Sequence, residues 1–522
     1  MRRDIWIPAL AGLFCFGWAF VAWLTVIPNQ DILVDGIQVQ SLVAEPRVVL
    51  AFPGQRHGGP LEYPATILAE WFLPGNYFAN GAIRPLLAFL TGFLVGKLFL
   101  RLFPSAPSWA FLTGVAVGPT IIHGKLGPAG NEVGVWWLQP NWDMAWLLVT
   151  AGAFVLAGCP RSQSWVVKAL SGGLLVGLGF WAHPAVILLI VPLLVLVTLL
   201  MRLTLRILMV GFIGSVIGVV PAGISYVINS GINTWDPSHG AFISLSYYRD
   251  MGGSVLGLNG VPDYIYALMP YAVGLPPSQD VLPGWFQSGF VWLVLGSVAV
   301  IATVSSVRAL KKRQPVGDAG AVALSWSALV VTIMLFITFI DPVWIYSSSL
   351  AVLFWLTVGA LPLLVPNELL GILLTSALLL VTAVSTLTHN WDYLTNLPRE
   401  FQAKVAFQER NQTLAEDLVD EGANYIFGSY YEVVPVGYGS GLQLRTLTST
   451  YNRFPLSREE LATPVINVAV NTRPSDAWGE TALAVVLESC VPRDTGADAD
   501  LADYQVFACP PSALTSSSDG GT

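Results

Sequence analysis

The ionisable residues that could do chemistry concentrate in one polar segment, residues 29–82, just after the first apolar run. It carries NQDILVDGIQVQ and FPGQRHGGPLEYP, and its ionisable residues include Asp31, Asp35, Glu45, Arg47, Arg56, His57, Glu62 and Glu70. Carboxylates and an imidazole can exchange protons, and guanidinium groups bind anions. Only 11% of the chain is charged, and charged side chains beside a membrane are costly and mark function. The segment is therefore predicted to hold a reaction site.

The composition predicts a polytopic α-helical membrane protein around this segment. The chain has 522 residues, 54% hydrophobic, with a mean hydropathy of +0.63. Soluble domains carry about 25% charged residues, and lipid tolerates only segments whose backbone hydrogen bonds close internally. We expect about eleven transmembrane helices, near residues 5–27, 83–103, 107–123, 142–159, 166–183, 185–201, 207–228, 286–307, 319–340, 343–365 and 367–388. The sequence has no basic stripe with interleaved aromatic residues, so no nucleic-acid partner is expected.

The distribution of Lys and Arg predicts the orientation. Basic residues cluster at alternate span ends, as at Arg2 and Arg3 and over residues 308–313, which favours a cytoplasmic N-terminus. The first span is interpreted as uncleaved, because no small-residue cleavage site follows it. We therefore expect a multi-pass plasma-membrane protein with large outer loops at 29–82 and 229–285. Its five histidines then lie on or near the outer side.

Three regions are expected along the chain: a transmembrane catalytic module over residues 1–390, a small extracytoplasmic α/β domain over 391–512, and a disordered tail over 513–522. FQAKVAFQERNQTLAEDLVDEGA has the pattern of an amphipathic helix. NYIFGSYY, LQLRTLTS, VINVAVNT, ALAVVLES and YQVFACP are interpreted as strands or short elements. A helix that ends in Gly before an apolar strand is typical of an α/β unit.

The four cysteines divide into two pairs with different expected roles. Cys15 and Cys159 lie in or near spans and are interpreted as small packing residues. Cys490 and Cys509 lie in the predicted outer domain, in an oxidising compartment. We expect them to form a disulfide.

Other candidate site residues lie near span ends or in the second outer loop. Asp143 begins a span, where it is either functional or a first-turn acid that complements the helix dipole. His183 lies at the rim of a span. SYYRDMGG contains Tyr247 and Arg249 in a loop long enough to suggest function. Arg249 either binds a phosphate or pairs with a neighbouring aspartate.

Several short motifs carry a resemblance to a known family. VDGIQVQSL places Asp35 after the first span, and FPGQRHGGPLE follows from Phe52 to Glu62. GFWAHP (179–184) and EGANYIFGSYYEVVPVGYGSG are further matches. Together they resemble the GT-C superfamily of polytopic glycosyltransferases, nearest to the bacterial protein-mannosyltransferase-like and arabinosyltransferase-like group. The chain departs from the family at Gly36, where an acid is usual, and in DPVWIYSSS, where Tyr346 stands without the usual Arg.

The resemblance implies an enzyme that moves a sugar from a polyprenyl-phosphate donor to an envelope glycan, lipoglycan or protein acceptor outside the membrane. Inverting transfer by single displacement needs one base and stabilisation of the leaving phosphate. Asp35 is the expected base, with Asp31 as its competitor. The implied substrate-binding residues are Asp31, Arg56, His57, Glu62, Asp143, His183, Tyr247, Arg249 and Tyr346. His57 is alternatively a structural loop residue, and Glu62 orients Arg56 or a sugar hydroxyl, or caps the following helix.

No cofactor is expected, although a divalent metal ion remains open because some relatives use one; no His, Asp and Glu spacing demands it. Two other classes of function make different predictions about the sequence. A lipid or glycan transporter predicts internal repeats and charges at the bilayer midplane, and the sequence has neither. A non-catalytic scaffold that binds envelope glycan through its outer domain fits the two departures from the family pattern.

Overall fold

The computed structural model describes residues 3–28, 30–50, 59–105, 109–122, 140–228, 317–339, 351–365, 367–389, 394–449, 458–493 and 503–515. These residues divide into two compact units. Of the described residues, those within Met1–Trp23, Ile83–Gly223 and Ser244–Asn396 form the first unit. Those within Leu24–Ala82, Ile224–Ile243 and Leu397–Thr522 form the second unit.

Apolar helices occupy the predicted spans of the first unit. They are α1 (Arg3–Thr25), α4 (Arg84–Leu102), α5 (Trp109–Ile122), α6 (Pro140–Leu156), α7 (Trp165–Ala182), α8 (Ile187–Met201), α9 (Leu205–Ile228), α10 (Asp318–Phe339), α11 (Ala351–Leu364) and α12 (Glu368–His389). Short 3₁₀ turns precede α7 (Cys159–Arg161) and α8 (Pro184–Val186). The predicted span 286–307 and the start of 343–365 lie outside the described residues.

Length and composition make a membrane location clear. Among the described residues, five helices are long and apolar enough to cross a bilayer: Ile5–Thr25, Arg84–Leu102, Asp143–Arg161, Trp165–Ala182 and Leu205–Ser225. About 20 residues are needed to cross the hydrocarbon core. The chain is therefore a multi-pass membrane protein, and the total of eleven spans stays a prediction.

Glycines bring α7 and α9 into close contact. A Cβ built on Gly173 would lie 1.8 Å from the Gly211 carbonyl oxygen, and one on Gly177 would lie 2.1 Å from the Ser215 carbonyl oxygen. Ser215 also donates a hydrogen bond of 3.1 Å to the Gly173 carbonyl. Helices in lipid pack through small residues and interhelical hydrogen bonds in this way.

The polar segment 29–82 was predicted as a loop, but it contains two helices. These are α2 (Gln30–Ala44) and α3 (Tyr63–Phe72). In α2 the spacing of Leu33, Val34 and Ile37 gives one buried apolar face. In α3, Pro64 stands in the first turn, where its missing N–H leaves no hydrogen bond unmade.

The rest of the second unit is an α/β fold. Its helices are α13 (Leu397–Asp420), α14 (Tyr430–Gly439), α15 (Arg458–Leu461), α16 (Ala477–Ser489) and α17 (Pro511–Thr515). Its strands are β1 (Tyr425–Gly428), β2 (Arg445–Thr448), β3 (Ile466–Asn471), β4 (Val491–Pro492) and β5 (Tyr504–Cys509), in the order β2-β1-β3-β5-β4. β2, β1 and β3 run parallel, and β5 is antiparallel to both β3 and β4.

Helices cover both faces of this sheet. On one face Phe427 and Val468 pack with Val486 of α16. On the other face Ile426 packs with Leu418 of α13 and Val433 of α14. α2 joins the same unit because Leu33, Val34 and Ile37 share a core with Tyr77, Tyr430, Val434 and Tyr438. The segment after the first span therefore folds with the C-terminal part of the chain.

Two local predictions in this unit were wrong. ALAVVLES, interpreted as a strand or short element, ends the helix α16, whose N-cap Asp476 accepts a hydrogen bond of 2.7 Å from the Gly479 amide. Ala482 and Val486 lie one helical turn apart and are both buried, which a helix achieves as well as a strand does. The predicted disordered tail also begins too early, because α17 extends to Thr515 and buries Leu514 in the sheet core.

Cys490 and Cys509 form a disulfide with an S–S distance of 2.10 Å and a sequence separation of 19 residues. Cross-linking a loop of this size stabilises a fold by roughly 3 kcal/mol, chiefly by restricting the unfolded chain. We expect the double variant Cys490→Ser/Cys509→Ser to lower the free energy of unfolding of the second unit by about that amount. Thermal unfolding with and without reductant measures it. Reductant should lower the midpoint of the wild type and leave the double variant unchanged; equal midpoints for both proteins without reductant would contradict the prediction.

Candidate active site

Asp35 and Glu62, which the sequence places 27 residues apart, come together in the second unit. Asp35 lies in the middle of α2 and is half-buried. Glu62 is the N-cap residue of α3 and is 2% exposed. Tyr63, the first residue of α3, links them: its hydroxyl donates a hydrogen bond of 3.1 Å to Asp35 Oδ1. The packing of α2 against α3 therefore builds a cluster of two acids and a phenol.

Tyr63 fixes the orientation of the Asp35 carboxylate. The Tyr63 side chain is 3% exposed. Its burial, together with the nearby charge of Asp35, raises the pKa of Tyr63 well above its usual range. The phenol therefore keeps its proton and remains a hydrogen-bond donor. A carboxylate held by such a donor has a defined direction, which a general base needs.

Glu62 is buried with little compensation from the described residues. Neither of its carboxyl oxygens has a hydrogen-bond partner there, and its side chain makes no capping bond to α3. Burial, and then the charge of Asp35, raise the pKa of Glu62 well above its ordinary value. Desolvation and a like charge both favour the neutral acid. The cluster thus pairs one carboxyl whose raised pKa favours the neutral form with another that a phenol orients.

The raised pKa of Glu62 predicts how Glu62→Gln changes stability with pH. As pH rises above the ordinary carboxyl pKa of 4.5, the unfolded chain loses the Glu62 proton first, because burial and the charge of Asp35 raise the pKa of Glu62 in the folded protein. The free energy of unfolding therefore falls as pH rises through this window. Gln copies the neutral carboxyl and cannot titrate. We expect the variant to equal or exceed the wild type in stability at pH 7, with a difference that shrinks toward pH 4.

Urea unfolding at a series of pH values between 4 and 8 measures this effect. Glu45→Gln serves as the control, because Glu45 is exposed. Parallel pH profiles for wild type and Glu62→Gln, or a Glu62→Gln protein that is less stable at pH 7, would show that Glu62 is ionised in the folded state.

Glu70, another acid of the polar segment, has a structural position. It is 3% exposed, and its Oε1 accepts a hydrogen bond of 2.6 Å from the Gly75 amide. Its Oε2 lies 3.2 Å from the Tyr438 hydroxyl, which also lies 3.0 Å from the Asn76 carbonyl. Burial raises the pKa of Glu70. These contacts tie α3 and the following turn to α14.

Gly36, where the resemblance leads one to expect an acid, has no space for a side chain. A Cβ there would lie 2.5 Å from Asn80 Nδ2 and 2.6 Å from Tyr438 Cε2. Asn80 and Tyr438 are themselves 5% and 0% exposed, so neither can move into solvent. The glycine therefore lets α2 approach these side chains closely, and an acid at this position would displace them.

We expect Gly36→Ala to destabilise the protein by about 1–3 kcal/mol, the usual range for overpacking. In a helix with open space at the glycine, the same change stabilises by about 0.5–1 kcal/mol. The sign of the change in the free energy of unfolding therefore shows whether close packing or helix propensity dominates at this position. Gly17→Ala is the matched control, because a Cβ on Gly17 of α1 meets nothing within 4 Å. Thermal unfolding of both variants is the measurement. A Gly36→Ala protein as stable as the Gly17→Ala protein would refute the close packing.

Asp143 has an ion-pair partner that neither sequence interpretation included. Its Oδ2 lies 2.9 Å from Nε of Arg84, and the two side chains are 2% and 1% exposed. Arg84 begins α4, and Asp143 lies in the first turn of α6. The pair joins the starts of two apolar helices inside the first unit. In the sequence, the only signal for a role of Arg84 was its position at the start of the predicted span 83–103.

The remaining predicted residues lie elsewhere or outside the described part of the chain. His183 is the half-buried C-cap residue of α7, in the first unit, where its amide donates to the Gly179 carbonyl. Asp31 belongs to α2, but its side chain lies outside the described residues, as do Arg56, His57, Tyr247, Arg249 and Tyr346. Tyr63 was missed by sequence reasoning, although it directly follows Glu62 in the motif GGPLEY.

Among the ranges that the structure describes, no three His, Cys, Asp or Glu side chains come together as ligands of a metal ion. Asp35, Glu62 and Tyr63 all carry side-chain oxygen atoms. A carboxylate among them can accept a proton without a further group.

Comparison with known proteins gives structural likenesses only. No protein-family model and no curated protein matches the chain. The structure is similar to crystal structures of ArnT from Cupriavidus metallidurans. The one bound to undecaprenyl phosphate is 12% identical over 99% of both chains, with a TM-score of 0.45. The apo structure is 13% identical over 95% of this chain and 96% of that chain, with a TM-score of 0.44.

A third likeness is to the Archaeoglobus fulgidus oligosaccharyltransferase in complex with zinc and sulfate. It is 10% identical, covers 92% of this chain and 68% of that chain, and has a TM-score of 0.42. At these identities and scores the likeness does not assign a reaction or a substrate to this chain.

Proposed function

We propose that the protein is a membrane glycosyltransferase. In this proposal it moves a sugar from a polyprenyl-phosphate donor to a cell-envelope acceptor on the outer face of the membrane, with inversion at the anomeric carbon. The observation that carries the proposal is the pairing of Asp35 with Tyr63 beside the buried Glu62. The motifs VDGIQVQSL and FPGQRHGGPLEYP contribute all three residues.

Asp35 is the proposed base. An acceptor hydroxyl oxygen attacks the anomeric carbon and forms the new glycosidic bond as its proton passes to the Asp35 carboxylate. The bond between the anomeric carbon and the phosphate oxygen breaks, and the polyprenyl phosphate leaves with the electron pair. No covalent sugar–enzyme intermediate is needed, so a single carboxylate suffices. The Tyr63 hydrogen bond holds this carboxylate in one direction while the acceptor binds.

Glu62 tunes the surroundings of the base. As a neutral acid it adds no second negative charge next to Asp35, which would repel a phosphate donor. Its carboxyl group is also a hydrogen-bond donor, which a neutral acid in an apolar site can use toward a developing charge. Arg56 and His57, a few residues before Glu62 in the chain, are the proposed contacts of the leaving phosphate. Arg249 is the proposed additional cation.

The acceptor is proposed to be an envelope glycan, a lipoglycan or a protein. The proposal rests on the predicted orientation, which puts residues 29–82 and the α/β part of the chain outside the membrane.

The test uses the full-length protein in liposomes with radiolabelled polyprenyl-phosphate pentoses and hexoses, and envelope fractions as acceptors. We expect sugar transfer coupled to release of polyprenyl phosphate, with a β-linked donor giving an α-linked product by NMR. Protein from the same preparation, unfolded by heat, sets the background. Absence of transfer from every polyprenyl-linked sugar would refute the class of enzyme, and retention of configuration would refute the single displacement.

A further inference from the structure

The chain connections of the sheet in the second unit switch sides between β1 and β3, which are parallel neighbours. The chain that leaves β1 forms α14, which packs with Ile426 on one face of the sheet. The chain that leaves β3 forms α16, which packs with Phe427 on the other face. In open α/β sheets, ligands bind outside the carboxyl ends of the strands at such a switch point. This end of the sheet is therefore a candidate binding site that the Asp35 cluster does not include.

Polar and aromatic side chains lie where these two strands end and the two helices begin. We call them the strand-end cluster: Ser429, Tyr431, Glu432, Asn471, Ser475 and Asp476. Ser429 and Asp476 are the N-cap residues of α14 and α16. Ser429 Oγ donates a hydrogen bond of 2.5 Å to Asp476 Oδ2, and Asp476 Oδ1 accepts one of 2.7 Å from the Gly479 amide. These bonds join the two helix starts, and a carboxyl group already fills the position at which a helix start binds an anion.

Glu432, in the first turn of α14, has one oxygen that is engaged and one that is not. Oε1 accepts hydrogen bonds of 2.9 Å from the Ser475 amide and 2.7 Å from the Ser475 hydroxyl. Oε2 is buried and has no hydrogen-bond partner in the part of the chain that the structure describes. Buried polar atoms are nearly always paired, so each exception needs an explanation. The side chain as a whole is partly exposed, so rotation of its carboxyl group can present the unpaired oxygen to a ligand hydroxyl.

Other members of the cluster suit a ligand that has both a carbon face and hydroxyl groups. Tyr431 is 43% exposed. Asn471 Nδ2 lies 3.4 Å from Glu432 Oε1, and Asn471 Oδ1 accepts a hydrogen bond of 2.9 Å from the Arg473 amide. A phenol ring offers a flat apolar surface with a polar tip, and carboxyl and amide oxygens accept hydrogen bonds from hydroxyl groups. A sugar ring has both kinds of complementary surface.

The charges of this region argue against an anionic ligand. Glu432 and Asp476 lie at the two helix starts, and Glu480 follows in the first turn of α16. Arg473, a cation close to them in the sequence, lies 3.5 Å from Asp503 and has an exposed side chain. A phosphate or carboxylate ligand would therefore be repelled by the acids around it.

A divalent cation also fits this cluster poorly. Calcium takes about six to eight oxygen ligands. Both oxygens of Asp476 and Oε1 of Glu432 already accept hydrogen bonds from the protein. Within the described ranges, moreover, no three His, Cys, Asp or Glu side chains are grouped as metal ligands. The class of ligand that remains is neutral and rich in hydroxyl donors.

We propose that the strand-end cluster binds a neutral oligosaccharide, whose hydroxyl groups donate to Glu432 while a sugar ring lies against Tyr431. The role of this oligosaccharide rests on the proposed function: it is the acceptor glycan, held by the α/β part of the chain during transfer. The binding itself does not depend on that function.

Oligosaccharide binding is measured with the full-length protein in lipid nanodiscs. Linear hexasaccharides of arabinose, mannose and glucose are the probes, and saturation-transfer NMR and calorimetric titration detect their binding. Calcium chloride and inorganic phosphate are titrated separately. We expect at least one hexasaccharide to bind, and neither ion to bind in a way that depends on Glu432.

Glu432→Gln should weaken hexasaccharide binding about tenfold, because a hydrogen bond to a charged group is lost. The glutamine oxygen can still accept the Ser475 bonds, so the fold should be kept. Glu480→Gln is the matched control, since Glu480 is an exposed acid in the first turn of α16, and it should bind like the wild type.

Tyr431→Ala should weaken hexasaccharide binding about fivefold, through loss of the contact between the sugar ring and the phenol. Leu461→Ala is its control, because Leu461 is similarly exposed, at 45%, and lies before the start of β3. Unfolding midpoints are measured for all four variants, so that a loss of binding is not mistaken for a loss of fold.

Three results would overturn the proposal. The first is that no hexasaccharide binds the wild type. The second is that Glu432→Gln and Tyr431→Ala bind as tightly as the wild type, which would place the sugar elsewhere. The third is that calcium binds the wild type and not Glu432→Gln, which would make the cluster a cation site.

Transfer kinetics separate this proposal from the enzymatic one. Tyr431→Ala should raise KM for a hexasaccharide acceptor more than it lowers kcat, and a fall in kcat alone would refute the acceptor role. If the wild type transfers no sugar at all, the binding measurements still decide whether the cluster holds an oligosaccharide, and only the proposed function fails.

Discussion

Asp35→Asn is expected to reduce sugar transfer by about 10²–10⁴-fold, the range that general-base catalysis contributes. The amide cannot take the proton of an acceptor hydroxyl. The local fold should remain, because the amide oxygen of the new side chain can still accept the Tyr63 hydrogen bond that Asp35 Oδ1 accepts now, at 3.1 Å. The loss should therefore fall on kcat with little change in thermal stability. Initial rates with a polyprenyl-phosphate sugar donor, together with unfolding midpoints, measure both quantities.

Two further variants make this result specific to Asp35. Glu45→Gln removes an exposed acid just after α2 and should leave the rate within twofold of wild type, a margin of roughly 0.4 kcal/mol. Asp31→Asn removes the competing acid one helical turn before Asp35. Full activity in a folded Asp35→Asn protein, with loss of activity in Asp31→Asn, would move the base to Asp31. Equal losses of transfer rate in all three variants would mean that the rate depends on the total negative charge of the segment and not on a single proton acceptor.

Elements whose physical constraint is local were predictable from the sequence. Runs of apolar residues long enough to cross a bilayer leave few alternatives, and the prediction 83–103 differs by only one residue at each end from the helix Arg84–Leu102. The amphipathic pattern before Gly422 similarly predicts α13. ALAVVLES failed because a short apolar run fits both a strand and one face of a helix, and the deciding N-cap, Asp476, lies upstream of it.

The contacts that define the candidate site depend on tertiary structure. The sequence could suggest candidate residues but not which of them contact each other. Asp35 and Tyr63 are 28 residues apart, and nothing in either motif says that a phenol will meet that acid. Gly36 looked like a lost acid, whereas its packing against Tyr438 and Asn80 shows that the space is filled. The role of Tyr438 could not be predicted, since its partner Glu70 lies 368 residues away.

Breaking the buried Arg84–Asp143 pair should cost about 3–5 kcal/mol, because the remaining charge is left without its partner in an apolar surrounding. Asp143→Asn and Arg84→Met are the two single variants. The two side chains are 1% and 2% exposed, and Arg84 Nε donates directly to Asp143 Oδ2 at 2.9 Å. Asp318→Asn is the control, because Asp318 is also a first-turn acid of an apolar helix but is exposed. Asp318→Asn should change the free energy of unfolding by no more than about 1 kcal/mol.

The double variant Arg84→Met/Asp143→Leu distinguishes a structural ion pair from a functional acid. Replacing both charges with apolar side chains of similar volume is often neutral or stabilising, so the double variant should recover most of the stability that each single variant loses. Thermal unfolding in detergent and sugar transfer in liposomes are measured on the same preparations. A double variant as unstable as the single variants would show that the pair is not the source of the loss. A double variant that is stable but transfers no sugar would instead assign Asp143 or Arg84 to the chemistry; we expect it to remain active, since the pair ties α4 to α6 and the proposed base lies on α2.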